Sequence, residues 1–317
     1  MLAIAALLCA CGGSSSNPVA EPGAVRLSTP PAGQVVAVGN RPEGIAYDPT
    51  SAVLAIGIRG PDAVLFLDRD GRLLKRVGIP SAPRHLSFAA PGGPLLVPAE
   101  KSGELIELSV PTGDVVEKVR VGRQPHEAAA AGGRAFVTNE FSDTVSVVEA
   151  GRVVTDLPGP AQPGGIAATH THVCVVGVRS HVLQLFDARS LQTLGSAPAG
   201  AGPTHVVADG DVCYVVDTAG DSLVGFQTAP SLSLLFKTHL DGRSYGAAVD
   251  TERKRLWISE TNTNTLAELS LSESGPRLVA TFPSVREPNS LAVDAGTGRV
   301  YVTGTGDGVI QILDPPA

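Results

Sequence analysis

Two histidines and a glutamate stand at equivalent places in a short phrase that recurs along this 317-residue chain. The phrase is an anchor residue, two variable residues and an aliphatic or small pair. It reads Pro42-Glu43-Gly44-Ile45-Ala46, Pro83-Arg84-His85-Leu86-Ser87, Pro125-His126-Glu127-Ala128-Ala129 and Pro163-Gly164-Gly165-Ile166-Ala167. It returns as Pro203-Thr204-His205-Val206-Val207, Ser244-Tyr245-Gly246-Ala247-Ala248 and Pro288-Asn289-Ser290-Leu291-Ala292. The second residue after the anchor is small in four copies (Gly44, Gly165, Gly246, Ser290) and is His85, Glu127 or His205 in the others. Two imidazoles and a carboxylate converging on one axis could hold a divalent metal with open positions. They could equally serve as general acid and base, bind a ligand without metal, or only bond water and neighbours.

The residue directly after the anchor adds Glu43, Arg84, His126, Tyr245 and Asn289 to the same rim. Loops between second and third strands would add Arg59, Glu100, Asn139, Glu140, Arg179, Asp217 and Glu260. Mixed charge of this kind suits a polar or zwitterionic ligand, and it is also what a solvated loop face looks like. The expected ligand-binding set is Arg84, His85, His126, Glu127, His205, Tyr245 and Asn289. His85, Glu127 and His205 form the set for a divalent metal or for catalysis, and no other cofactor is expected.

Other suggestive spacings carry less. Gly242-Arg243-Ser244-Tyr245-Gly246 matches G-x-S-x-G, but that elbow needs a strand-to-helix turn, and Ser244 is a repeat anchor between strands. His170-Thr171-His172 falls in a turn on the opposite face, without a third ligand nearby. Asp68-Arg69-Asp70-Gly71 sits at a hairpin and lacks the remaining ligands of a calcium loop. Cys174 and Cys213 occupy matching second-strand positions in neighbouring repeats. Stacked sheets would separate them by about 10 Å, beyond disulfide reach, so two buried thiols are expected.

The elements that must position these residues follow from the period. Successive anchors lie 38 to 44 residues apart, the spacing of a propeller or solenoid array. The third repeat shows its make-up. Ala128-Ala129-Ala130, Ala135-Phe136-Val137-Thr138, Thr144-Val145-Ser146-Val147-Val148 and Arg152-Val153-Val154-Thr155 are four short strands, and turn residues such as Gly132-Gly133 separate the first two. No segment has sustained helical periodicity. Only three strands fit after the seventh anchor, and Gln34-Val35-Val36-Ala37-Val38-Gly39 reads as the missing fourth. An all-β, seven-bladed propeller over residues 34–317 is expected, its ring closed by the N-terminal strand so that no sheet edge is left open.

Phe136-Val137-Thr138-Asn139 followed by Asp143-Thr144-Val145-Ser146-Val147-Val148 closely resembles the YVTN-type β-propeller repeat. Tyr301-Val302-Thr303-Gly304 and Val115 to Gly122 fit other parts of that consensus. The resemblance is to YncE-like and quinoprotein amine dehydrogenase β-chain-like propellers, with the NHL repeat the closest competitor. It implies the fold. It leaves activity open, because such propellers serve as binding scaffolds, lactonases, lyases and redox proteins.

At the N-terminus, Leu2 to Ala10 is a short apolar run of signal-peptide length. Leu8-Cys9-Ala10-Cys11 resembles the lipobox of bacterial lipoproteins, with Cys11 as the lipidated residue. The alternative is a simply cleaved signal. Residues 1–11 are then the signal segment and 12–33 a Pro/Gly/Ser-rich tether reaching about 25 Å. A formal net charge of −7 gives no basic stripe for nucleic acid. No apolar run is long enough to span a bilayer. The expectation is a monomeric cell-envelope protein, extracytoplasmic and held to a membrane by lipid alone. It would bind a small polar ligand or an envelope protein as a scaffold. The alternative is a lyase- or lactonase-type enzyme using His85, Glu127 and His205.

Overall fold

The computed structural model describes residues 22–272 and 275–316. Cys11, the signal segment and the first part of the expected tether lie outside them. All regular structure in the described residues is β. Seven four-stranded antiparallel sheets form the blades of a propeller. Six blades use four consecutive strands. The seventh combines Pro288–Asp294, Arg299–Gly304 and Val309–Leu313 with Gln34–Ala37, which pairs with its third strand in the register Gln34–Ile312 to Ala37–Val309. The ring closes as the strand count requires.

Successive side chains of a strand point to opposite faces of a sheet, and here both faces are covered by neighbouring blades. In the second strand of blade one (Val53–Ile58), Val53 and Ala55 pack toward blade two while Leu54 and Ile56 pack toward blade seven. Seven hydrophobic clusters result, one between each adjacent pair of blades. Second and third strands therefore read as near-continuous apolar runs. Outer strands alternate or are exposed, as in Leu73–Gly78.

In blades three to seven the recurring phrase opens the inner strand and is built as a bulge. In the inner strands of blades three, four, six and seven, the ladder pairs the anchor and then skips the next two residues. In blade five it skips only Thr204. The residue before the anchor has positive φ in five copies: Arg41 47°, Gln124 53°, Gln162 54°, Arg243 59° and Glu287 53°. A left-handed residue followed by a bulge turns the skipped side chains off the sheet and toward the axis.

A repeated hydroxyl stitches one blade to the next. Thr138 Oγ1, in the second strand of blade three, accepts from the Glu127 amide (3.2 Å) and donates to the Gly164 carbonyl of blade four (2.8 Å). Thr303 does the same between the Ser290 amide (3.0 Å) and the Glu43 carbonyl (2.9 Å), closing blade seven onto blade one. Ser259 links the Gly246 amide (2.8 Å) to the Asn289 carbonyl (3.3 Å). The threonine of the repeat consensus thus satisfies the polar groups that the bulge removes from the ladder.

Two findings differ from the sequence reading. Cys174 and Cys213 form a disulfide between blades four and five, with Cα atoms 6.9 Å apart. The 10 Å spacing of stacked sheets does not apply, because propeller blades converge toward the axis and their second strands lie close together. Residues 22–33, placed in the tether, are held along blades six and seven. The Gly23 amide donates to Thr261 Oγ1 (2.7 Å), Asn264 Nδ2 to the Val25 carbonyl (3.2 Å), and Gln311 Nε2 to the Ala32 carbonyl (2.8 Å).

The disulfide closes a loop of 39 residues and cross-links two blades. Replacing both cysteines by alanine is expected to cost about 2–4 kcal/mol against the oxidised protein. Urea unfolding followed by Trp257 fluorescence measures this, and an unchanged midpoint would show that the bridge is energetically idle.

Candidate functional site

At three of the seven inner strands the neighbouring strand approaches so closely that no side chain fits. A Cβ on Gly44 would lie 2.2 Å from the Arg84 carbonyl oxygen, and one on Gly246 would lie 1.9 Å from that of Asn289. Gly165 would meet the His205 Cα at 2.8 Å. His85, Glu127 and His205 stand where the spacing admits large groups. The axis is therefore furnished from one side.

His126 joins this cluster from the neighbouring position in the phrase, which the sequence reading assigned to the rim. Ring centroids of His85 lie 4.8 Å from His126 and 4.7 Å from His205, and His205 lies 4.7 Å edge-on to Tyr245. The three imidazoles are only 6–7% exposed. Among protein atoms, His85 Nε2, His126 Nδ1 and His205 Nε2 find no hydrogen-bond partner. His85 Nδ1 meets Ser290 Oγ at 3.2 Å.

His85 separates two cavities on the axis. One, a vestibule of about 230 Å³ on the side of the anchor loops, is lined by Arg41, Glu43, Arg59, Arg84, Tyr245 and Asn289 among others. Its charges are organised into a closed set. Arg59 contacts Glu43 (2.6 Å) and Glu100 (3.1 Å), and Arg84 contacts Glu100 (3.1 Å) and Glu43 (3.8 Å). Gln124 Nε2 also donates to Glu100 Oε1 (3.0 Å). Burial opposes the Arg84 charge, but Tyr245, Glu43, Glu100 and Glu140 more than offset it and raise its pKa. Arg59 Nε remains without a protein partner. The other, a chamber of about 220 Å³ along the inner strands, carries His85, Glu127, His205 and Ser290 beside Leu86, Val206 and Leu291.

Titration of the cluster is set by desolvation. Burial pushes His85 and His126 well below the usual imidazole value, helped for His85 by His205, His126 and Arg84 and for His126 by Arg84 and His205. His205 is lowered to about 3 by burial and then by Arg84. Glu127 faces the chamber and keeps part of its surface exposed. Burial raises it to about 8, against the opposing hydrogen bond from the Ile166 amide (3.1 Å). Near neutral pH the axis therefore holds three neutral imidazoles and a protonated carboxyl.

The other sequence candidates serve the scaffold. Asp217 is fully buried and accepts from the amides of Ala201 (2.9 Å) and Gly202 (2.8 Å) and from Ser222 Oγ (3.0 Å). Asn139 Nδ2 donates to Ser146 Oγ (2.8 Å), Glu140 accepts from Gln162, and Glu260 accepts from Thr265. Ser244 is fully buried at the start of its strand, and Asp68 caps its hairpin through the amides of Asp70 and Arg72. Arg179 is exposed and His170-Thr171-His172 lies at a turn. His85, Glu127 and His205 share the chamber, but among the described residues no three His, Cys, Asp or Glu are arranged to hold a metal ion. Ser290, read as merely small, turns out to be the hydrogen-bond partner that orients His85. Its type could have signalled that role.

No sequence-family profile matches the chain, and no curated protein matches it in sequence. Solved structures match in shape. A chain in a crystal structure of a mitotic checkpoint complex aligns with a TM-score of 0.79 at 13% identity, covering 100% of this chain and 99% of that one. Kuenenia stuttgartiensis hydrazine synthase aligns at 0.75 and 16% identity, covering 88% and 97%. A streptogramin B lyase structure aligns at 0.73 and 14% identity, covering 92% and 96%. What they share with this chain is the seven-bladed fold.

The pKa shifts fix the shape of the pH–stability profile. The lowered imidazoles contribute a penalty below about pH 6.5, where the unfolded chain takes up protons that the folded state refuses, so stability falls on acidification. Glu127 is raised to about 8, so between about pH 4.5 and 8 the unfolded chain releases a proton that the folded state keeps, and stability falls as pH rises. Below pH 6.5 three histidines outweigh one glutamate. Chemical unfolding from pH 5 to 9 is expected to show a maximum between about pH 6 and 7. Glu127→Gln should remove the decline from there to pH 8, and His126→Gln should flatten the acid limb. A profile unchanged by Glu127→Gln would refute the raised pKa.

Proposed function

We propose that this protein is a ligand-binding propeller of the bacterial cell envelope, with YVTN-type repeats, and that its ligand enters through the axial vestibule. The observation that carries this reading is the axial cavity of about 230 Å³ whose lining gathers Arg41, Glu43, Arg59, Arg84, Tyr245 and Asn289. The vestibule's paired arginines and carboxylates fit a small polar or zwitterionic guest. Arg84, Tyr245 and Asn289 would contact it first.

Envelope location rests on two independent features. The lipobox-like Leu8-Cys9-Ala10-Cys11 supplies an acceptor for lipid at Cys11. The Cys174–Cys213 disulfide suits an oxidising compartment outside the cytosol. The chain would be monomeric and reach the membrane through its lipid only.

A second reading is favoured by the pairing of Glu127, held protonated, with imidazoles held neutral. Titratable groups whose environments push their pKa values apart are the mark of acid–base chemistry. Glu127 as general acid and His85 as general base would make an enzyme of lyase or lactonase type. The binding role requires no such step and remains the first reading.

Native mass spectrometry of the protein released from envelope membranes tests the proposal. The expected mass includes an acylated Cys11 and a non-covalent small molecule whose occupancy falls at least tenfold in Arg84→Ala. An unmodified N-terminus would remove the lipid anchor from the account. An adduct-free protein, or an adduct indifferent to Arg84→Ala, would remove the vestibule.

A further inference from the structure

Two carboxylates at the mouth of the axis have cationic partners, and the one beyond His85 has none. Glu43 and Glu100 are each held by Arg59 and Arg84. Glu127 forms no ion pair among the described residues, and no lysine or arginine lines its chamber. Its Oε2 accepts from the Ile166 amide at 3.1 Å. Its Oε1 makes no hydrogen bond to the protein and is not among the sealed polar atoms of the axis, so it opens on the chamber. The rest of the polar lining divides in the same way. The His85 and His205 rings are closed off, whereas Glu127 and Ser290 keep part of their surface in the cavity. Glu127 is therefore the ionisable group that a guest in the chamber meets. A carboxyl withdrawn from water without a counter-charge is costly to ionise, and a cation brought in from solution offsets that cost.

We propose that the chamber is a site for a compact organic monocation, a primary alkylammonium, that pairs with Glu127. An N–H of the ammonium donates to Oε1, and a short alkyl chain lies beside Leu86, Val206 and Leu291. About 220 Å³ admits roughly seven water-sized units of about 30 Å³, which limits that chain to a few carbons. A calcium ion is a poorer match, because it takes about six to eight oxygens and the described residues hold no three-ligand cluster. Occupancy is coupled to a proton. Burial raises Glu127 to about 8, so near pH 7 the empty site holds a carboxylic acid, and its hydrogen leaves to solvent as the cation enters. The titratable groups around it are His85 and His205 in the chamber, His126 beside it on its strand, and Glu43, Arg59, Arg84 and Tyr245 across His85. Blades one, four and seven bring Ile45, Ile166 and Ser290, which do not titrate. The lowered imidazoles stay neutral between about pH 6 and 8, so within the chamber Glu127 alone changes its charge there. The site is separate from the vestibule and does not depend on a ligand bound there.

Isothermal titration calorimetry of the full-length purified protein, in two buffers of different ionisation enthalpy, tests this with four probes: propylammonium, tetramethylammonium, 1-propanol and calcium. At pH 7 propylammonium is expected to bind with release of about 0.9 proton, the fraction of a carboxyl titrating near 8 that is protonated there. Its apparent affinity should rise about ninefold from pH 6 to 7 and level off above about pH 8. Tetramethylammonium, which lacks the N–H, and 1-propanol, which lacks the charge, should bind at least tenfold more weakly. Glu127→Gln should abolish the proton release and weaken propylammonium at least tenfold. Binding without proton release overturns the proposal, as does equal binding of 1-propanol or tetramethylammonium, calcium binding as tightly as propylammonium, or no propylammonium binding at pH 8. If binding falls in Arg84→Ala but survives Glu127→Gln, the cation sits in the vestibule, and the chamber assignment fails while the vestibule reading stands. Should Glu127→Gln not fold, the proton count and the probe comparison on the unaltered protein decide.

Discussion

Seven inner strands meeting around one narrow axis is the constraint on which the rest of this molecule depends. Neighbouring backbones approach until a Cβ at Gly44 or Gly246 would collide with the next strand's carbonyl oxygen. The left-handed residue before five of the anchors, the bulges after the anchors of blades three to seven and the hydroxyl stitch from Thr138, Ser259 or Thr303 are answers to that crowding. Together they turn one or two residues of the phrase out of the ladder and satisfy the amide and carbonyl groups this exposes. Because four axial positions are small and three are large, the centre becomes a one-sided chamber and not a plugged core.

That geometry also sorts charge. Glu43, Arg59, Arg84 and Glu100 neutralise one another at the mouth, where solvent is near. One layer deeper, desolvation outweighs every other influence on His85, His126, His205 and Glu127, and each is driven to its neutral form. His85 is the boundary between the two regimes, held by Ser290 on one side and facing the chamber on the other.

Much of this was legible in the sequence because the repeat is a ruler. Equivalent positions in the phrase identified His85, Glu127 and His205 as axial, and the strand count placed Gln34–Ala37 in the seventh blade. The clustering of His126 was not legible. Which side chain a bulge turns inward depends on how many residues the ladder skips, and that differs between blade five and its neighbours. The disulfide was missed because sheet-stacking distances ignore the convergence of blades toward the axis. The roles of Asp217 and Asn139 were hidden for a related reason: loop carboxylates and amides look alike in sequence, whether they face solvent or cap the backbone beneath them.

The central claim is that the axial cluster is kept uncharged by its enclosure. Site-resolved NMR titration of the histidine rings and the Glu127 carboxyl tests it most directly. The account predicts that His85, His126 and His205 stay unprotonated well below the ordinary imidazole range while Glu127 loses its proton near pH 8. Imidazoles titrating near their ordinary value of about 6.5, together with a Glu127 ionised above about pH 4.5, would contradict it.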